Sequence, residues 1–379
     1  MPHDAPARES SPCTLHVDLD ALRHNVTYAK SRAGGRGILV AVKANAYGHG
    51  LIEVARSLAG MADWLGVALV SEAQQLRAAG IATPILKFTH TFAEELPAAI
   101  EAGLSLTVAD ADAIGLASLA AQRAGAQLRV HLKLDTGMRR LGGEPSDAVA
   151  LATQIAHAPG LVLDGLMTHL AISDAPAGAG YTRDQLEAFQ RAVERVVEAV
   201  GPIRHIHAAN SGGLLNHDVS ATTMVRPGIM IYGNPPDSAY PDPELRPVLR
   251  WTSRVGFVKP ILAGQSVGYG RTWTASRDTW IATVSVGYGD GYSRLLSNRG
   301  RMLIDGRAYP IVGRVCMDQT MIDLGPERPA VRVGDEVVLV GDSGPERISV
   351  DDIAALMGTI SYEVTCLISQ RVPRVYSDR

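Results

Sequence analysis

In the stretch 41–50, AVKANAYGHG, an apolar run ends on Lys43 and the chain turns at once through Tyr47 and His49. A lysine held at the end of a buried strand is partly desolvated. Desolvation disfavours the ammonium and lowers its pKa from about 10.4. The neutral amine can then attack a carbonyl and form a Schiff base. Other polar residues sit in comparable places. Lys133 and Asp135 end the run VHLKLD, His169 ends LMTH, Asn210 and Ser211 follow HAA, and Arg226 precedes Pro227-Gly228-Ile229. Ser211 stands before Gly212-Gly213, whose open backbone can present N–H groups to an anion. Gly228 leaves room for a second backbone approach. Together these groups suit a carbonyl ligand with a phosphate tail, which is the outline of pyridoxal phosphate.

The elements that must position these residues are short apolar runs at 38–42, 64–68, 84–88, 105–109, 128–134, 163–168, 204–208 and 222–226, separated by helical patterns. In TRDQLEAFQRAVERVVEAVG, Leu186, Phe189, Val193 and Val196 or Val197 recur every three or four residues, one helical face. Thr182 and Gln185 have the spacing of a capping box at its start. Strands alternating with helices pair in parallel through right-handed crossovers. Eight such units predict an α/β fold, a closed (β/α)8 TIM-like barrel. Every polar residue named above then falls at a strand's carboxyl end, the rim where such barrels keep their active sites. No GxxxxGK[ST] is present, and no GxGxxG follows a strand to open a helix, as open sheets that bind nucleotides use.

After about residue 240 the pattern changes. PPDSAYPDPELRP is a proline-rich connector, and period-two runs follow it: TWIATVSV, RMLIDGRAYPIV, VRVGDEVVLVG. Asp305-Gly306 and Gly334-Asp335 are hairpin-type turn signals. The expected organisation is a flexible tail at 1–11, a barrel at 12–240 and a mostly β C-terminal domain at 241–379.

Lys plus Arg is 36 against 39 Asp plus Glu, a balance without the clustered basic surface that nucleic acid requires. No apolar run reaches the roughly 18–20 residues of a membrane span. MPHDAPARESSP has no apolar core of a secretory signal. Three widely spaced cysteines, Cys13, Cys316 and Cys366, suggest reduced thiols in the cytoplasm, with Cys316 a small buried residue. His205 and His207 alternate onto one strand face but lack a nearby third ligand, so no metal is expected. His49 reads as a turn or supporting residue.

AVKANAYGHG, HLKLDTGMRRLG, LMTHLA, HAANS, VRPGIMIYG, SVGYGDGYSR and GRVCMDQ, in this order, resemble the successive motifs of the alanine racemase family. The resemblance runs from about residue 14 to the C-terminus. It implies a pyridoxal 5′-phosphate enzyme that interconverts L- and D-alanine, supplies D-alanine for peptidoglycan and works as a homodimer with shared active sites. It implies that Lys43 holds the cofactor and that Tyr47, Ser211, Gly228, Ile229 and Tyr362 bind its phosphate, with Asn210 beside them. His169 would pack by the pyridine ring and contact Arg226, which would donate to the ring nitrogen. Arg140 and the Met317 N–H would hold the substrate carboxylate, and Tyr288 and Asp318 would line or support the entrance. Alternation in VHLKLD puts His131, Lys133 and Asp135 on one face, so Lys133 either pairs with Asp135 or, as the resemblance implies, is carbamylated. Tyr269 would be the second base, since one rigid base does not readily serve both faces of Cα. That role needs its pKa of about 10 lowered by nearby cations. An arginine cannot accept the ring nitrogen's proton and should leave that nitrogen unprotonated, limiting side reactions.

Three positions depart from the family's usual residues: Arg139 for glycine, Gly268 for serine and Leu170 for phenylalanine. Other readings fit part of the pattern. A decarboxylase of basic amino acids would carry a GPTCD-like segment where this chain has GRVCMDQ. A racemase of serine or another small amino acid stays open, because an apolar pocket rejects one hydroxyl weakly. A non-catalytic pyridoxal-phosphate carrier would not need the β domain with Tyr269 and Tyr362.

Overall fold

The computed structural model describes residues 11–378, so the expected tail, apart from Ser11, lies outside the described residues. The chain forms two compact units. One comprises Leu22–Ala46 and Leu51–Arg246; the other takes the chain up to Ala21, Tyr47–Gly50, and everything from Pro247 on.

The first unit is an eight-stranded, all-parallel barrel. In chain order its strands are Gly37–Ala41, Trp64–Val67, Ile85–Lys87, Leu104–Val108, Leu128–Lys133, Leu161–Met167, His205–His207 and Met224–Val225. The first seven pair consecutively in the order of the sequence, and the eighth pairs with the first. The seventh and eighth share no ladder. Their seam is joined by the N–H of Thr223 to the carbonyl of Ile206 and the N–H of Arg226 to that of Ala209, both at 2.8 Å. All eight expected runs became strands, because apolar β-rich runs of this length are stable only when buried on both faces. The lumen is filled by Leu39, Trp64, Leu86, Met167 and Met224, with Phe88 against them.

One local expectation fails. The helix carrying Leu186, Phe189, Val193 and Val196 runs Ala179–Val200, so it begins three residues before Thr182, and Gly178 is its N-cap. Thr182 is buried with its hydroxyl unpartnered, and Gln185 turns inward. The Gln185 side chain bonds the N–H of Ala171 at 2.9 Å and the carbonyl of His169 at 3.1 Å. Tertiary hydrogen bonds have taken Gln185, and burial has taken Thr182, from the cap that the local pattern assigned to them.

The second unit is built on a nine-stranded sheet among the described residues. Its main path runs Arg307–Pro310, Arg301–Ile304, Glu336–Ser343, Leu249–Ile261, Thr14–Asp18 and Arg374–Ser377. Only Thr14–Asp18 with Arg374–Ser377 pairs in parallel there, so strands near both chain ends share one sheet. Asp305 (φ 46) and Gly306 (φ 72) form the expected tight hairpin. Gly334-Asp335 is a turn, closed by the Asp335 N–H on Arg332, but the strands it links, Thr320–Gly325 and Glu336–Ser343, do not pair with each other.

Directly after Lys43 the backbone turns left-handed. Ala44, Asn45, Ala46 and Tyr47 have φ of 54, 55, 53 and 52. A left-handed turn costs an L-residue about 1–2 kcal/mol, and asparagine tolerates it better than alanine. Ala44 is exposed, so its side chain contributes little packing. Ala44→Gly should therefore stabilise the protein, by up to about 1 kcal/mol once glycine's greater unfolded-state entropy is subtracted. A higher urea midpoint with an unchanged slope is the expected result.

Candidate functional site

The carboxyl rim of the barrel gathers the polar residues singled out in its sequence. Lys43 leaves the first strand half-buried. The strand end is fixed by the Val42 N–H on the carbonyl of Gly66 at 2.9 Å and by the Tyr232 hydroxyl on the carbonyl of Ala41 at 2.9 Å. The left-handed turn is fixed by Glu72, a residue that sequence reasoning missed. Its buried carboxylate accepts the N–H of Ala44 at 2.6 Å and those of Ala68 and Leu69 at 2.8 and 3.1 Å. The signal was available, since Glu72 stands in the first turn of the helix after the second strand, where acidic residues favour orphan N–H groups.

Lys133 and Asp135 end the fifth strand, both buried. They do not form an ion pair. Asp135 Oδ1 accepts the N–H groups of Gly137 and Arg139 at 2.9 and 3.0 Å, and Oδ2 accepts that of Arg140 at 3.1 Å. Burial alone would raise this carboxyl's pKa, but the Arg139, Gly137 and Arg140 N–H groups outweigh it and hold it low. Arg139 has φ 55, a conformation that glycine adopts without cost, and its guanidinium pairs with Glu144. Lys133 keeps no compensating partner. Burial first, then the positive charges of Arg226 and Arg140, lower its pKa to about 8 against the pull of Asp135.

Arg226 is buried at the end of the eighth strand. Nη2 donates to the carbonyls of Thr168 and Ala208 at 2.8 and 2.9 Å and lies 3.3 Å from His169 Nδ1, while Nη1 donates to His207 Nδ1 at 2.9 Å. Burial lowers its pKa to about 10, which leaves it charged at neutral pH. His169 is held well below the usual histidine range, by burial and then by Arg226, Arg140, Lys133 and Lys43. Four cations thus act on one imidazole.

Asn210 caps the short helix Ser211–Asn216. Its Oδ1 accepts the Gly213 N–H at 2.9 Å and the Ser173 hydroxyl at 2.7 Å. The Gly213 N–H is therefore committed to the cap. The Ser211 hydroxyl accepts N–H groups from Gly228 at 2.9 Å and Met230 at 3.4 Å, at the start of the turn Ile229–Tyr232. Two helical N-termini, with their orphan donors and positive dipole ends, meet at this hydroxyl.

The other singled-out residues belong to the β-rich unit. Tyr47 lies against Tyr362, ring centroids 6.0 Å apart at 47°. His49 is buried, with Nδ1 2.8 Å from the carbonyl of Tyr47. Tyr269 stands on a short turn and is 72% exposed; Met317 and Tyr288 are also exposed, at 52% and 44%. The Tyr288 N–H bonds the carbonyl of Cys316 at 2.9 Å, and the Gly289 N–H bonds that of Met317 at 2.8 Å. Cys316 is thus half-buried in a working turn rather than fully buried as expected. Asp318 accepts Arg371 Nη2 at 2.7 Å, and Arg371 also pairs with Asp290 at 3.1 Å.

The family described as "Alanine racemase, N-terminal domain" matches residues 17–236, and "Alanine racemase, C-terminal domain" matches residues 248–376. The alanine racemase of Cutibacterium acnes is 48% identical over 368 residues, 97% of this chain and 98% of that one. The crystal structure of alanine racemase from Streptomyces lavendulae superposes with a TM-score of 0.91 at 33% identity, covering 99% of this chain and 98% of that one. An alanine racemase from Bartonella henselae, solved with covalently bound pyridoxal phosphate, gives 0.87 at 26% identity, covering 97% of this chain and all of that one.

Proposed function

The chain belongs to the alanine racemase family of isomerases, and on that premise we propose that it interconverts L- and D-alanine with pyridoxal 5′-phosphate bound at the barrel rim. The observation that carries this is the concentration of Lys43, Lys133, Arg140 and Arg226 around His169, with the Asp135 carboxylate occupied by backbone N–H groups. Of these four, Lys133 and Arg226 are buried, and a buried cation without a counter-ion is costly. An anionic cofactor and an amino-acid carboxylate would both offset it, so the residues present fit the group.

Ser211, Gly228 and Ile229 would hold the phosphate through a hydroxyl and backbone N–H groups, and Asn210 fixes the helix that presents them. From the β-rich unit, Tyr47 and Tyr362 would add contacts to the same phosphate. Arg226 would donate to the ring nitrogen, and His169 would pack by the ring. When bound, the cofactor supplies an electron-withdrawing ring that acidifies the α-hydrogen of its amino acid. Lys43 binds the cofactor and moves the α-proton on one face. Tyr269 moves it on the other, supplied to a given Lys43 by the second subunit of a homodimer. Arg140 and the Met317 N–H would hold the substrate carboxylate, and Tyr288 and Asp318 would shape its entry. A cytoplasmic enzyme supplying D-alanine to peptidoglycan is the setting this activity suits.

Lys133 would be carbamylated. Its depressed pKa leaves a usable fraction of neutral amine, the form that adds carbon dioxide, and a carbamate beside Arg140 would orient that guanidinium. Intact mass in bicarbonate buffer should carry one added carbon dioxide, lost in Lys133→Ala. An unmodified mass for the native protein would end this part of the proposal.

The activity is tested by a chiral assay of the purified protein on L-alanine, L-serine and L-lysine, with and without added cofactor. Cofactor-dependent formation of D-alanine is expected, accompanied by exchange of the α-hydrogen with solvent deuterium. Cofactor binding with no exchange would mark a carrier and overturn the reading.

A further inference from the structure

Three histidines lie inside the barrel, beneath the residues discussed so far. His131 and His207 are fully buried. His131 packs edge-on to Trp64, with centroids 5.6 Å apart, and its ring is stacked parallel to that of His205 at 5.8 Å. Its place is built into the backbone. The pairing of the fifth and sixth strands shifts register between Val130 and His131, and a Cβ at Gly165 would lie 2.4 Å from His131 Nδ1.

The hydrogen bonds have a determined direction. A guanidinium only donates, so His207 Nδ1 must accept from Arg226 at 2.9 Å. A neutral imidazole carries one proton, which places it on His207 Nε2. That nitrogen is 2.8 Å from His131 Nδ1, which must therefore accept, and the His131 proton lies on Nε2. His131 Nε2 faces Asp164 Oδ2 at 3.9 Å, with both atoms buried and otherwise unpartnered. Asp164 Oδ1 takes Arg129 at 3.1 Å, and Oδ2 also lies 3.8 Å from His205 Nε2. A second proton on either ring of the chain would set donor against donor. Burial acts in the same sense, lowering the His131 pKa to about 3 and holding His207 well below its usual range.

We propose that His207 and His131 are positioning residues for the reaction: they hold the Arg226 guanidinium through a one-way hydrogen-bond chain whose inner end, His131 Nε2, faces the Asp164 carboxylate across 3.9 Å, so that a charge deep in the barrel biases the orientation and protonation of the group presented at its rim. The proposal rests on the reading of Arg226 as the partner of the cofactor's ring nitrogen. The charged and titratable groups facing the chain are Arg226 above it, Asp164 and His205 below, Arg129 behind Asp164, and Asp63 and Arg204 beside His205.

The test uses the full-length protein with pyridoxal phosphate bound and its histidines labelled with 15N, the two signals being assigned by their loss in His131→Asn and His207→Asn. Both rings should show a bare Nδ1 and a protonated Nε2, unchanged between about pH 5 and 8, where an ordinary histidine titrates. Titration of either ring in that range, or a proton on either Nδ1, overturns the chain. A second arm compares His207→Leu with His207→Asn, which keeps an acceptor where Nδ1 lies. Leucine should shift the visible absorbance of the bound cofactor and lower kcat by about 10- to 100-fold, the scale of losing one charge-assisted hydrogen bond, with asparagine restoring most of both. Equal effects of the two variants would reduce His207 to packing and refute the proposal. Where the leucine variant does not fold, the nitrogen signals of the unmodified protein decide. The ring tautomers are read without turnover, so failure of racemisation and failure of the chain give different results.

Discussion

On the proposed mechanism, Lys43→Ala should lower kcat/KM for racemisation of either alanine enantiomer by about 10⁴-fold or more, because it would remove both a base and the covalent tether of the cofactor. The fold should survive. Lys43 is half-buried at the rim, outside the lumen cluster, and the turn after it is held by Glu72 through backbone N–H groups that alanine retains. Borohydride treatment of the native protein with cofactor should fix the label on the peptide containing residue 43, and the variant should fix none. Retention of more than about a tenth of the activity would contradict a base worth the usual 10²–10⁴-fold. So would a label on Lys133, the other lysine whose charge acts on His169.

Tyr269→Phe should have an asymmetric effect. Racemisation should fall by about 10²- to 10⁴-fold, the ordinary worth of a general acid–base group. Exchange of the α-hydrogen with solvent should persist for D-alanine, which Lys43 serves, and disappear for L-alanine. Equal loss for both enantiomers would mean that the phenol supports the site rather than moving a proton. Tyr269 is 72% exposed on a turn flanked by Gly268 (φ 73) and Gly270 (φ 71), so loss of the hydroxyl should cost little stability. The same exposure, shared with Met317 and Tyr288, is what a subunit interface would cover. Sedimentation of this variant with the same molecular mass as the native protein would separate a chemical loss from a failure to assemble.

The barrel was legible because most of its strands lie in short, largely buried apolar runs, and the end of such a run is also where a rim residue stands. Lys43, Lys133, His169 and Arg226 could be placed for that reason alone. The relation between Lys133 and Asp135 was not legible. Alternation puts both on one face, yet the chain folds back over residues 137–140 and turns the carboxylate to its own backbone, which depends on the loop and not on strand period. Thr182 and Gln185 misled for a related reason, since a local spacing cannot report that Gln185 is needed to tie Ala171 and His169. The histidines of the lumen were visible as alternating residues. His131, His207 and Arg226 stand on or just after the fifth, seventh and eighth strands, and only the barrel brings His131 and Arg226 within 3 Å of His207.

The left-handed turn after Lys43 bears on the order in which the molecule is assembled. Nothing in Ala44, Asn45, Ala46 and Tyr47 favours that conformation over its mirror image, and an isolated chain would wind the segment the other way. It can persist only after the helix bearing Glu72 has seated its carboxylate. The Lys43 amine thus acquires its final direction late, after the framework around it exists, and nascent or partly unfolded chains would carry an ordinary lysine at this position.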